Sequence, residues 1–258
     1  MPQSAWGYAS DTMYRRRWAL IEPEISRDRF TLIDWGSDSG WFSVTTALAF
    51  PRSNVLAVDG SVMLGDSNIQ EHLAKIADEK IENDTLVNCL FDANTFAALK
   101  SYPVHYQYAL SVFHWMGDGI GQVLRDKNDW DRAFLDLIQC AEVTFFEVPN
   151  EESPDETPHR IRAWYDGRAV AQAMTDAIQQ SGTDAEFKLL GDIEHGNKGH
   201  RKLFVIRSGV SAIDAERSGE VAEVIRKAGS KISLPFSLVA RAKLRKIKRL
   251  LSAYTSPA

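Results

Sequence analysis

Hydrophobic residues along the chain fall into two alternating kinds of block. The short apolar runs "RFTLID", "NVLAVDG", "TLVNCLFD", "YQYALSVF", "EVTFFEVP", "EFKLLGDI" and "RKLFVIR" read as strands, and the near-continuous hydrophobicity of "TLVNCLFD" and "YQYALSVF" suits the centre of a parallel sheet covered on both faces. Between them lie longer stretches with apolar residues at helical spacing. "YRRRWALIEPEI" predicts a short helix stopped near Pro23, and "WFSVTTALAF" a helix ending before Pro51. Asn68 to Lys80 predicts another, followed by "DRAFLDLIQCA" and by "GRAVAQAMTDAIQQSG" with its glycine stop. "GDGIGQVLRDKNDW" reads as a glycine-containing loop or broken helix, and the charged, proline-bearing "NEESPDETPHR" as a surface excursion.

Strands alternating with helices, closed by two strands joined through "EHGNKGH", predict an α/β fold. The expected form is a doubly wound, mostly parallel seven-stranded sheet with an antiparallel last strand. Three regions follow: an N-terminal helical cap (1–29), the sheet domain (30–207) and a helical C-terminal appendix (208–258). The appendix holds "AERSGEVAEVIRKAG" and a basic amphipathic helix.

Composition changes this picture mainly at the end of the chain. The formal charge is -5, but the last 18 residues hold six Lys or Arg and no Asp or Glu, so the acidic excess lies in the body. Such a body repels a long polyanion, which argues against generic nucleic-acid binding. Cys89 and Cys140 sit in apolar surroundings and read as core thiols, implying a reducing compartment. The N-terminal stretch lacks the apolar segment of a secretory signal and no 18-residue apolar run follows, so a cytoplasmic protein is expected.

The chemistry starts at "TLIDWGSDSGWFSV". In a doubly wound sheet, ligands lie beyond the carboxyl ends of the strands where strand order reverses, and this turn follows the first strand. Its glycines stand as D-x-G-x-x-x-G, with Asp34, Gly36 and Gly40, and not as the G-x-G-x-x-G that makes room for a pyrophosphate. There is no G-K-S/T either, which argues against a nucleotide hydrolase. Asp59 closes the second strand in "VLAVDG".

These residues together resemble the class I S-adenosylmethionine-dependent methyltransferases, over about residues 30 to 207. The resemblance implies that Asp34 organises the loop and holds the methionine ammonium, with Gly36, Ser37 and Gly40 passing beside the methionine and ribose. It implies that Asp59, followed by Gly60, accepts hydrogen bonds from the ribose hydroxyls. Asp92 in "NCLFDA", with the backbone around Phe91, is then the candidate for the adenine amino group, and a helix cap is its competing role. Ser111 and the rest of "YALSVFHW" would line the methionine end. S-adenosyl-L-methionine is the implied cofactor, and residues 30–207 the domain that binds it.

His114, just beyond the fourth strand, is the candidate catalytic residue, either as a base or as a group shaping the acceptor wall. Trp115 and Met116 offer an apolar wall, "YRRRW" a segment able to fold over the site through Tyr14, Arg15 or Trp18, and His159 and Arg160 a substrate loop. No metal is assigned, because His195 and His200 are five apart with no third ligand at a recognised spacing. The absence of an N/D/S-P-P-Y/F/W segment after the fourth strand separates the chain from adenine and glutamine amino-methylating enzymes.

"FHW" and "FFEVP" are similar to segments of methyltransferases that modify sugars or phosphates on lipid-linked bacterial glycans. The expected activity is O- or N-methyl transfer to a small-molecule or glycan-like acceptor. The alternatives are methylation of RNA or protein, and a non-catalytic binding module of the same fold. In "SLVARAKLRKIKRLLSAY", Ala240, Leu244, Ile247 and Leu251 form an apolar stripe flanked by basic residues. That helix has three readings: peripheral contact with an anionic membrane at its inner face, docking of an acidic partner, or packing against the protein's own body.

Overall fold

The computed structural model describes residues 11–60, 66–118, 124, 126–151, 161–194 and 199–229. Seven strands form one sheet: β1 (Thr31–Trp35), β2 (Asn54–Asp59), β3 (Asp84–Asn88), β4 (Val104–Leu110), β5 (Ala141–Pro149), β6 (Ala185–Glu194) and β7 (His200–Ser208). Their spatial order is β3-β2-β1-β4-β5-β7-β6. β1 to β5 pair in parallel, while β7 lies antiparallel between β5 and β6. This is the expected doubly wound, mostly parallel sheet with its last strand reversed. Order reverses between β1 and β4, and that crevice is where such sheets hold ligands.

The helices are α1 (Asp11–Ile21), α2 (Trp41–Ala49), α3 (Asp66–Asp78), α4 (Ala93–Leu99), α5 (Lys127–Ile138), α6 (Ile161–Tyr165), α7 (Val170–Ser181) and α8 (Ser218–Gly229). The central strands are buried on both faces, which is why they read as unbroken apolar runs: every residue of β1 is buried. On one face Ile33, Trp35, Val58, Phe134 and Phe146 join a core that includes α5, α7 and α8. The other face packs Leu32, Tyr106, Tyr108 and Phe145 against α1 and α2. Gln107, central and fully buried, accepts from Trp35 Nε1 at 2.8 Å and donates to Leu137 O at 2.7 Å and Thr144 Oγ1 at 2.8 Å. A buried amide so placed costs little, because its hydrogen bonds to water are replaced.

Several boundaries differ from the sequence pattern. The apolar run "YQYALSVF" continues to Phe113, but β4 ends at Leu110 because Ser111 turns left-handed at φ 59°, and Phe113–Asp118 form a 3-10 turn. "KNDW" is not loop: Asp126 accepts from the backbone N–H of Asn128 and Asp129, starting α5 there. Helix α6 emerges where no helix was expected, and α4 is the helix that Asp92, in its competing role, caps. The segment set apart as an appendix contributes Val221, Ala222 and Ile225 of α8 to the main core. The basic C-terminal helix, the tip of the excursion with His159 and Arg160, and His195 lie outside the described residues.

Candidate functional site

A cavity of about 630 Å³ opens at the carboxyl ends of β1, β2 and β4, inside the roughly 300–1,000 Å³ range of small-ligand sites. Asp34, Gly36, Ser37, Asp59, Gly60 and Ser111 all line it. Six of the nine site residues expected from sequence therefore converge on one space. The other three lie elsewhere. Gly40 stands behind the wall between Ser39 and Trp41, which line it. Asp92 uses its carboxylate to accept from the N–H of Asn94 and Thr95 in a capping box that starts α4, and Phe91 lines the cavity in its vicinity. His114 is buried, with Nε2 3.4 Å from Arg201 Nη1, and Trp115 beside it faces the cavity.

The loop after β1 is built from backbone bonds and small residues. Gly36 N and Ser37 N donate to Val58 O at 2.8 and 3.2 Å, folding the loop over the end of β2, and Gly40 N donates to Ser37 O at 2.8 Å. Gly36 and Gly40 are left-handed at φ 69° and 76°. A Cβ on Gly40 would lie 2.2 Å from the His72 ring, so strain and crowding both require glycine there. A Cβ on Gly60 would lie 2.3 Å from Leu90, which keeps the backbone beside Asp59 bare.

Helix α3 grips this loop from below with three side chains on one face. Asn68 donates to the Asp38 carboxylate, and Lys75 Nζ donates to Ser39 O at 2.7 Å. His72, fully buried, packs under Gly40 with Nε2 2.9 Å from Asp84 Oδ2. Asp38 N in turn donates to Asp59 Oδ2 at 2.7 Å. Loop and β2 carboxylate are thus held as one unit.

The acids of the cavity sit in an environment that resists charge. Burial raises Asp34 to about 7, against a lowering hydrogen bond from Ser43 Oγ at 2.6 Å. Burial also raises Asp59 to about 6 and lifts Asp38 above the ordinary carboxylate range. A cationic or hydrogen-bond-donating ligand would favour their ionised forms. Ser37 Oγ is buried with no hydrogen-bond partner among the described residues. An unpaired buried hydroxyl, bare glycine backbone and unsettled carboxylates fit a polar nucleoside bearing an ammonium group.

Over this floor α1 lays Met13, Tyr14 and Arg17, so "YRRRW" does fold over the site, with Trp18 packed into the core. Tyr14 stacks on Trp41 at 5.4 Å between ring centroids. Arg17 inserts beneath and meets Glu147 at the end of β5: Nη2 donates to Oε1 at 2.8 Å, and Nε lies 2.5 Å from Oε2. Ser111 Oγ also donates to Glu147, which ties the left-handed residue after β4 to β5. Arg17 and Glu147 went unassigned at the sequence level, and their only trace was an acid in the apolar run "FFEVP" and a basic cluster in α1. Among the described residues no group of three His, Cys, Asp or Glu side chains is placed to hold a metal, and no helix is long and apolar enough to cross a membrane.

No family profile matches the chain, and no curated protein matches its sequence. Solved structures do match its fold. One structure of WbdD aligns with a TM-score of 0.53 and 16% identity over 82% of this chain and 40% of that one. Another, described as the bifunctional kinase-methyltransferase WbdD, aligns at 0.51 and 15% identity over 79% and 40%. The small RNA methyltransferase HEN1 aligns at 0.50 and 13% identity over 83% of this chain and 28% of that one. The chain thus spans about 40% of the length of the WbdD chains it matches. Its fold is the Rossmann-like fold of class I S-adenosylmethionine-dependent methyltransferases.

Proposed function

We propose that this chain, carrying a class I methyltransferase fold, transfers a methyl group from S-adenosylmethionine to oxygen or nitrogen of a small-molecule or glycan-like acceptor. The observation that carries the reading is the convergence of Asp34, the Gly36–Gly40 loop and Asp59 on one cavity at the point where strand order reverses. Asp34 would hold the ammonium, Asp59 the ribose hydroxyls, and Gly60 with Phe91 the base. The bound sulfonium supplies an activated methyl group. The chain's part is to orient donor and acceptor in line and keep water out, with α1 as the cover.

The raised carboxyls make donor binding depend on pH. Between pH 4 and 7 the folded protein holds more protons on Asp34 and Asp59 than the unfolded chain, so these two acids make folding less favourable as pH rises. A donor that pairs with their ionised forms shifts the balance the other way. Its dissociation constant should fall from pH 5 to pH 8, by up to roughly tenfold per unit between about 6 and about 7, more steeply below about 6 where both acids must lose a proton, and then level off. Calorimetry in two buffers of different ionisation enthalpy should show proton release at pH 6 and little at pH 8.5.

Calorimetry also tests the proposal itself. S-adenosylmethionine and S-adenosylhomocysteine should bind once per chain, while NAD and ATP should not. Failure of both S-adenosyl compounds to bind would defeat the reading. The fold similarity to HEN1 supports RNA as a second acceptor class only if RNA retention is salt-sensitive and lost on removing residues 238–258. The acidic body argues against it. We place the protein in the cytoplasm, at the inner membrane face if the basic tail docks there.

A further inference from the structure

We propose that the acceptor is an uncharged aromatic molecule, and that Trp115 is the platform on which its ring lies. The inference deepens the function proposed above, which decides which end of the cavity the donor fills. With Asp59, Gly60 and Phe91 taken by the nucleoside, the remaining wall comes from α1, the start of α2 and the segment after β4.

That wall is aromatic and thioether. Trp41 and Tyr14 stack on each other, Met13 and Met116 add sulfur, and Trp115 completes the rim. Trp115 is 37% exposed, whereas Trp18, Trp35, Trp130 and Trp164 are all 3% or less. A large indole left open at the mouth of a cavity offers a face for a planar partner, and thioether sulfur makes favourable contacts at ring edges.

Charge selects against the other acceptor chemistries. Among the described lining residues, Arg17 is the single cation, set against Asp34, Asp38 and Asp59. Its guanidinium is already paired with fully buried Glu147, so a phosphate ester would meet a surplus of negative charge and no unpaired cation. A glycan fares no better, because each buried sugar hydroxyl needs a polar partner. Beyond the donor loop and its carboxylates, the wall's side-chain polar groups are the Tyr14 hydroxyl, the Arg17 pair, the indole N–H groups of Trp41 and Trp115, and a Ser111 hydroxyl that donates to Glu147. An aromatic ring with one nucleophilic hydroxyl or amine needs little more than this.

The test uses three probes by calorimetry, with the protein alone and saturated with S-adenosylhomocysteine: 2-naphthol, 2-naphthyl phosphate and methyl β-D-glucoside. We expect 2-naphthol to bind at least about tenfold more tightly than its phosphate ester, and the glucoside not to compete. Trp115→Ala should weaken 2-naphthol about tenfold, the loss of one stacked pair, while Trp115→Phe keeps most of the affinity. Trp115→Ala should still melt cooperatively, somewhat below wild type, since the residue is only 37% exposed and its ring lies 5.3 Å from that of His114, and Trp115→Phe controls for that loss of packing. The proposal is overturned if the phosphate ester binds more tightly, if the glucoside competes, if Trp115→Ala leaves 2-naphthol affinity unchanged, or if no probe binds. Loss of S-adenosylhomocysteine binding with 2-naphthol binding intact would instead count against the donor assignment alone.

Discussion

Replacing Asp59 with Ala should lower affinity for S-adenosylhomocysteine on the order of 100-fold. Asp59 Oδ2 already accepts from Asp38 N, so the carboxylate is fixed in direction, and it lines the cavity beside the bare backbone of Gly60. Two ribose hydroxyls donating to a charged acceptor contribute about 1.5 kcal/mol each, which sets the size of the loss. Asp59→Asn keeps the shape and an acceptor oxygen, so it should fall between wild type and Ala. Calorimetry at pH 7.5, where Asp59 is ionised, separates the three proteins. Equal affinity in Asp59→Ala would remove this residue from the site.

Arg17→Ala should destabilise the fold by about 3–5 kcal/mol, lowering Tm on the order of 10 °C. Arg17 is 3% exposed and Glu147 0%, and truncating the arginine leaves a buried carboxylate without its cation. The double variant Arg17→Met with Glu147→Leu should regain most of that stability, because an apolar pair of similar size carries no desolvation cost. It should not regain donor binding fully, since Ser111 loses the carboxylate that holds its left-handed turn. A denaturant melt gives the first result and calorimetry the second. A single variant as stable as wild type would show that Glu147 finds another partner.

The sheet was legible because its central strands are buried on both faces and so are written as apolar runs that no amphipathic helix would show. The donor loop was legible because a left-handed turn and a close backbone approach both demand glycine, and Asp59 follows at the end of the next strand. What could not be read were contacts between residues far apart. Arg17 and Glu147 are 130 positions apart, and nothing local in "YRRRW" says which arginine turns inward. Ser111 sits inside an apolar run that looks like strand, and its turn is set by Glu147, 36 residues on.

Other features carried a local signal. Asp92 followed by Thr95 has the spacing of a capping pair, the competing role that its carboxylate performs. Asn68, His72 and Lys75 recur at steps of four and three on a helix otherwise read only for its apolar face. A polar stripe at that spacing marks a second buried face, and here it is the face that supports the donor loop. His114 was chosen for its place after the fourth strand, but the 3-10 turn there aims its neighbour Trp115 at the cavity instead.

A crystal structure of the chain with S-adenosylhomocysteine bound tests the central claim most directly. The ribose should lie on Asp59, the base against Phe91 and the amino group toward Asp34, with the sulfur opening onto the space between Ser111 and Trp115. A nucleoside bound outside this cavity, or bound within it with no contact to Asp34 or Asp59, would contradict it.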